Sequence, residues 1–282
     1  MKVTWDGARP PKLPPKRPGD RFRLGWRLLL AITSLVALFP IFVLARTLDV
    51  VAGRISGRPI RRSGPEIVRL WAKIALKILG LRLRIIGAPM HGSGAYVANH
   101  ASWIDIIALQ AAVAPYLVSK ADVRAWPVIG AIGAAIGTLF IERDPLAARK
   151  QQDALRLRMI QGDRLALFPE GTSSDGFGVL PFKSSLFEVF FAPELRGKAA
   201  VQPVAIRYRP RKPLPDSFYG WWGDADFSGH LLDVLALSSG GVVTLSFLEP
   251  LTLDGMSDRK HAARTAEEMV RREFEQLSAS AP

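Results

Sequence analysis

No cysteine occurs in this 282-residue chain. That excludes disulfides, thiolate nucleophiles and cysteine-ligated metals, and it suits a protein facing the cytosol. Histidine is scarce, with four residues in all. His91 lies in a Gly-rich loop, and His230 and His261 lie among polar neighbours. None of the three has a ligand partner at a usual metal-binding spacing, so they read as surface or structural residues and no metal or other cofactor is expected. No Gly-x-Ser-x-Gly elbow is present, which removes the common serine-nucleophile arrangement. Acidic residues are nearly missing from one region. Residues 1–90 hold 18 Lys and Arg against four acids, a net of +14, whereas residues 91–282 carry −1. The basic character therefore belongs to an N-terminal arm. Such an arm suits nucleic acid or an anionic membrane surface.

Charge of either sign is absent from "LLLAITSLVALFPIFVLA", Leu28 to Ala45, an 18-residue run. That is the lower end of what crosses a bilayer as a helix. Arg21, Arg23 and Arg27 precede it and Arg46, Arg54 and Arg58 follow it, so the positive-inside rule gives no orientation. Pro40 is expected to kink or split the helix. A signal peptide would also be apolar, but the long Pro-rich leader and the lack of a small-residue cleavage site after Ala45 do not suit one. A membrane helix or re-entrant hairpin is expected. "IVRLWAKIALKILGLRLRII" (Ile67–Ile86) places Arg69, Lys73 and Lys77 on one helical face. It reads either as a basic helix lying in the membrane interface or as a surface helix packed on a core. Nucleic-acid binding through the arm leaves the uncharged run beside it unexplained, so no nucleic-acid partner is expected.

Three regions follow. Residues 1–23 form a basic, Pro-rich leader expected to be poorly ordered. Residues 24–80 form membrane-associated helices. Residues 81–282 alternate short apolar runs with helix-length segments. Strands are expected at Leu81–Ile86, Ala95–Asn99, Tyr116–Ser119, Thr138–Ile141, Leu165–Phe168, Val201–Tyr208 and Val242–Leu248. Helices are expected at Trp103–Ala112, Ala121–Ile136, Pro145–Gln161, Ser184–Phe191 and Arg259–Leu277. This alternation predicts an α/β layered domain with a mostly parallel or mixed sheet flanked by helices. "GAIGAAIG" (Gly130–Gly137) reads as close helix packing.

Four stretches combine polar residues with expected strand ends. In "VANHASWIDI" (Val97–Ile106), His100 and Asp105 are five residues apart. On one continuous helix they would point roughly 140° apart. They can meet only if His100 precedes the helix and Asp105 sits in its first turn. An Asp bonded to one imidazole nitrogen fixes the tautomer and makes the other nitrogen a general base. The alternative is a structural helix start. In "LALFPEGTSSDG" (Leu165–Gly176), Glu170 lies in a Gly-bearing turn suited to a polar ligand group, or in an ordinary loop. "GTLFIERD" (Gly137–Asp144) brings Arg143, able to fork onto a phosphate or carboxylate, or simply solvated. "VQPVAIRY" (Val201–Tyr208) is an apolar strand whose Pro203 implies an edge position or a bulge.

In this order the four stretches resemble the glycerolphosphate acyltransferase family, which includes bacterial 1-acylglycerol-3-phosphate acyltransferases. The matching blocks are "NHASWID", "GTLFIER", "FPEGT" and "VQPV", and "LVSKADVRAWPVIG" (Leu117–Gly130) between them also looks typical. The resemblance covers about residues 65–250. It implies an O-acyltransferase in which His100, oriented by Asp105, deprotonates a lysolipid hydroxyl. That oxygen attacks the thioester of acyl carrier protein or acyl-coenzyme A, with no acyl-enzyme. Arg143, Glu170, Gly171, Thr172, Ser173 and Lys120 fall in the blocks that bind the substrate. Membrane lipid is the surrounding partner, and the implied setting is the cytoplasmic membrane with the catalytic domain facing the cytosol. Phosphate-accepting members usually carry Arg after Phe-Pro-Glu-Gly-Thr, where this chain has Ser173. With "WWGDADFSGHLL" (Trp221–Leu232), that departure looks more like the branch acylating lyso-ornithine lipid and related aminolipids. Lysophosphatidate remains the alternative acceptor. A non-catalytic lipid-binding protein that kept the fold is the alternative of another class.

Overall fold

The computed structural model describes residues 13–57, 60, 63–142, 145–251 and 253–280. Helix α1 (Pro18–Ser56) holds 39 residues, about 58 Å at 1.5 Å per residue. Pro18 opens it, where a missing N–H costs nothing, and Gly57 closes it in the left-handed conformation (φ 68°). Pro40 lies inside the helix and does not end it. The expected split is not seen; tertiary packing on both sides of Pro40 holds the segment helical. The leader is likewise shorter than expected, because the helix begins at Pro18. Residues 1–12 lie outside the described residues.

Helix α2 (Ser63–Ile78) runs back along α1. Buried Asp49 of α1 accepts the Ser63 N–H (3.0 Å) and hydroxyl (3.1 Å), capping the start of α2. Further along, Gly64 lies against Phe42, and Gly80, just beyond α2, lies against Arg27. The pair is thus an antiparallel hairpin. Its inner side packs on the domain, where Leu24, Leu28 and Ala31 join the core. Its outer side leaves Leu29, Ile32, Val36, Leu44 and Leu48 more than half exposed. α1 is long and apolar enough to cross a membrane, and almost none of its apolar window is buried. Arg23 and Arg27 do not serve only as flanking charges. They donate to the Ala236, Leu235 and Ser238 carbonyls at the end of helix α6 (Phe227–Leu237), where cations suit the helix dipole.

The seven-stranded sheet has the order β1-β7-β6-β2-β5-β3-β4. Its strands are β1 (Leu81–Ile86), β2 (Ser93–Ala98), β3 (Tyr116–Lys120), β4 (Leu139–Ile141), β5 (Arg164–Leu167), β6 (Ala199–Pro210) and β7 (Gly241–Phe247). All pairs are parallel except β6 with β7. The sheet is mixed and layered, as the alternation predicts. Period-two alternation sorts β2 between two cores. Tyr96 and Ala98 face a layer built on α2, α6 and α3 (Ile104–Val113). Ala95 and Val97 face a layer built on α5 (Pro145–Ile160) and α7 (Arg259–Ala279).

Three local expectations change. Ala121–Ile136 is not one helix. A 3-10 turn covers Ala121–Ala125, Trp126 is extended (φ −72°, ψ 129°), and α4 spans only Ile129–Ala135. Pro127 is the cause, since it disfavours helical backbone at the preceding residue. Ser184–Phe191 is helical but of the tighter 3-10 type. Pro203 is not on an edge: β6 lies inside the sheet. Its carbonyl accepts from Leu248 N–H (3.0 Å), so its nitrogen faces the β7 side. The β6–β7 ladder begins only at Val204, so the missing donor falls where that ladder has ended.

Candidate active site

The parallel strands β2, β5, β3 and β4 all end at one edge, the usual place for a site in an open α/β sheet. After β2 the side chain of Asn99 takes over from the backbone. It accepts from Ile206 N–H (2.7 Å) and donates to the Ile206 carbonyl (3.0 Å) of β6. His100 therefore leaves the sheet in a fixed direction, and α3 starts only at Ile104. The chain turns between them, with Asp105 N–H bonded to the Ser102 carbonyl (3.1 Å).

Asp105, fully buried, is the hub of this turn. Its Oδ2 lies 2.8 Å from His100 Nδ1 and accepts from the Ala101 (2.8 Å) and Ser102 (2.9 Å) backbone N–H groups. Its Oδ1 accepts from the Tyr208 hydroxyl at 2.5 Å. Burial, reinforced by the neighbouring Asp105 charge, holds the Tyr208 phenol well above its ordinary range. Tyr208 is thus a neutral donor. A carboxylate accepting at Nδ1 places the imidazole proton there and leaves Nε2 with its lone pair. Nε2 has no hydrogen-bond partner among the described residues. The ring stacks on Phe168, centroids 4.1 Å apart and planes 22° from parallel.

The turn after β5 rests directly on this loop. Ser174 N–H donates to the His100 carbonyl (2.8 Å). Gly171 has φ +69°, and a Cβ there would stand 2.4 Å from Lys183 Nζ. Only glycine fits that turn without moving the lysine. Glu170 is buried, with Oε1 accepting from Leu180 N–H at 3.0 Å and Oε2 unpartnered among the described residues. Burial raises its carboxyl well above the ordinary range, opposed by the Leu180 and His100 N–H groups and assisted by Asp105. Thr172 is half-buried and Ser173 buried, with 9% of its surface exposed. Lys120 ends β3 opposite Ile141 of β4, two strands from β2 and so about 10 Å across the sheet. Arg143 lies outside the described residues.

Blocks one, three and four thus meet, while block two stands at the sheet edge. Chemically, a buried carboxylate, an imidazole with one open nitrogen and adjacent backbone turns can remove a hydroxyl proton and stabilise the charge that follows.

The chain matches the family model described as Acyltransferase over residues 86–207, a span holding all four blocks. A lyso-ornithine lipid O-acyltransferase from Rhodobacter capsulatus is 38% identical over 274 residues, 96% of either chain. The chain belongs to the acyltransferase family. A second protein of the same description, from Brucella abortus, is 36% identical over 217 residues, covering 73% of this chain and 80% of its own. The solved structure of the 1-acyl-sn-glycerophosphate acyltransferase PlsC from Thermotoga maritima shares the fold. It has a TM-score of 0.63 at 22% identity and covers 92% of this chain and 99% of its own.

Within this acyltransferase, several residues at the dyad escape motif reading. Tyr208 lies one position beyond the family match. The available signal was a lone tyrosine on the aliphatic face Val204–Ile206–Tyr208, which alternates onto one core. Trp221 N–H donates to the Ala101 carbonyl (2.8 Å) and clamps the His100 turn from outside. α6, absent from the expected helices, sits beside it. His230 on α6 is structural, as expected. Trp103 Nε1–H donates to its Nδ1 (2.9 Å), Nε2 faces the Phe218 carbonyl (3.3 Å), and burial lowers its proton affinity. His91 and His261 are exposed.

Proposed function

We propose that this acyltransferase is anchored to the cytoplasmic membrane and acylates the hydroxyl of a lyso-aminolipid of the lyso-ornithine type, with His100 as general base. The observation that carries the reading is the His100–Asp105–Tyr208 chain, which leaves His100 Nε2 open while Nδ1 is held at 2.8 Å. His100 Nε2 takes the acceptor's hydroxyl proton as the oxygen attacks the acyl thioester carbon. The oxyanion is met by backbone N–H donors of the turn after β5 other than that of Gly171, which the Phe168 carbonyl holds (3.0 Å). Collapse breaks the C–S bond, and the imidazolium returns its proton to the leaving thiolate. The products are an ester and a free thiol on acyl carrier protein or coenzyme A. We assign the acceptor carboxylate to Lys120, at the end of β3, and, on the family resemblance alone, to Arg143; Glu170 braces the turn after β5 by accepting from Leu180 N–H.

Two observations support the aminolipid acceptor. Ser173 is small and buried where phosphate-accepting members usually carry Arg. The relatives matching most of the chain are described as lyso-ornithine lipid O-acyltransferases. The α1–α2 hairpin is the anchor. Because α2 covers α1 on one side and packs on α3, the arrangement favours an anchor lying along one leaflet, with the domain on the cytosolic side where acyl thioesters occur.

The test uses purified full-length protein, one acyl-thioester donor, and lyso-ornithine lipid or 1-acylglycerol-3-phosphate as acceptor. Lyso-ornithine lipid is expected to be preferred at least about tenfold in kcat/KM, the discrimination one polar head-group contact supplies. The reverse preference overturns the acceptor. Undiminished transfer by folded His100→Ala overturns the mechanism.

A further inference from the structure

The segment that begins inside the typical "LVSKADVRAWPVIG" stretch (Leu117–Gly130) and runs to β4 is not used by the proposed chemistry. From Ala125 to Ile141 it runs seventeen residues without a charge. Soluble domains bury such a run. Here, in α4, only Gly130 is buried. The glycines face inward. A Cβ on Gly130 would lie 2.1 Å from the Arg124 carbonyl, and one on Gly133 would lie 3.2 Å from Phe140. The small-residue spacing therefore packs the segment onto itself and leaves its larger apolar groups partly outward.

Val128 is the extreme case, 63% exposed. Its backbone (φ 63°, ψ −54°) forms a tight turn with Ile129 N–H on the Pro127 carbonyl at 2.6 Å. That conformation is strained for a β-branched residue. Exposed Arg124 stands at the start of the run.

The two ends of the segment reach different parts of the molecule. Trp126 packs edge-on against Trp221 (6.2 Å between centroids), and the Trp221 N–H holds the His100 turn. Ile136 lines a cleft with Phe42 and Arg46 of α1 and Gly64 and Pro65 of α2. The segment therefore reaches from the α1–α2 hairpin, at Phe42 and Arg46, to Trp221 beside the His100 turn.

We propose that Trp126–Ile136 is a second membrane-contacting element, seated in the boundary between head groups and acyl chains beside α1, along which lysolipid passes laterally to His100. The proposal rests on the membrane reading of α1. Its occupant is the bilayer, because the strip adjoins the membrane hairpin where Ile136 shares a cleft with Phe42 and Arg46, leaves Val128 exposed, and carries Trp126 with Arg124 beside it, residue types that favour that boundary.

The absence of cysteine makes the test clean. Full-length Val128→Cys, Val36→Cys on α1 and Lys260→Cys at the exposed start of α7 each carry one environment-sensitive fluorophore. They are mixed with phosphatidylcholine–phosphatidylglycerol vesicles with plain or brominated acyl chains. Quenching by brominated lipid is expected at positions 128 and 36 and not at 260. Quenching at 36 alone overturns the proposal, and quenching at neither overturns the membrane reading with it. A signal at 128 that changes with protein concentration or acyl carrier protein, and not with vesicles, assigns the strip to a protein partner and also overturns it. As a second readout, Val128→Asp keeps a residue type tolerant of positive φ. It should lower transfer to vesicle-embedded lysolipid about tenfold, the scale of placing one charge at a membrane boundary, and leave transfer to a short-chain, water-soluble acceptor unchanged.

Discussion

Asp105 and Val36 stand at opposite extremes of this molecule. Asp105 is fully buried and binds two backbone N–H groups, a phenol and an imidazole. Val36 is 67% exposed on an apolar helix face. Both Asp105 oxygens are answered, because an unanswered carboxylate oxygen would cost about 1–3 kcal/mol in a dry site. Around Val36 apolar groups stay open, which water penalises and lipid does not. On the proposed reading the two regions divide the work: one holds a proton-transfer geometry rigid, and the other sets the solvent in which the substrate is met.

The sharpest way to break this division is Asp105→Asn. An amide can face His100 with a donor and select the wrong tautomer, so acyl transfer should fall at least about a hundredfold with vesicle binding unchanged. Parallel turnover and flotation assays would show it; loss of both would mean that the regions are not separable. Val36→Asp addresses the other side. It should leave the melting temperature in place and weaken vesicle partition by about 2.5 kcal/mol, the scale for a carboxylate in hydrocarbon. Flotation at several lipid concentrations measures it. Tyr208→Phe is expected to have a smaller effect than either. Removing one buried donor should lower kcat about tenfold, leave KM unchanged and cost about 1–2 kcal/mol of stability. Denaturant midpoints and steady-state kinetics separate these effects.

Glu170→Gln is the smallest. The Glu170 carboxyl is raised by burial, so the folded state binds its proton more tightly than the unfolded chain. Its stabilisation is full below the unfolded carboxylate value and is lost as pH rises through the higher folded one. Gln can still accept the Leu180 N–H but cannot ionise. The variant should therefore gain stability relative to the parent on going from pH 5 to pH 8. Melting curves across that range would show a flatter profile. An unchanged difference would mean that Glu170 is not buried as described.

Much of this was legible in the sequence. The alternation of apolar runs and helices predicted the layered sheet, and the five-residue spacing of His100 and Asp105 required a turn before α3. Residue order limits such local geometry. Other features were not legible because they depend on neighbours. Pro203 implied an edge position or a bulge; it lies in an interior strand, at the point where the regular β6–β7 ladder stops and the next bridge, Val201 to Leu251, is one residue out of register. Arg23 and Arg27 looked like membrane-flanking charges, yet they cap a helix more than 200 positions away. Ala121–Ile136 looked like one helix, yet Pro127 divides it.

By itself, the sequence determined the spacing of His100 and Asp105 and which run carries no charge, because both are properties of residue order. Only the tertiary structure decided what those residues face. Tyr208 reaches Asp105 across 103 positions, since parallel strands bring distant chain to one sheet edge. The apolar segment before β4 meets the hairpin in the same way, with Ile136 lining one cleft with Phe42 and Arg46 about 90 positions earlier.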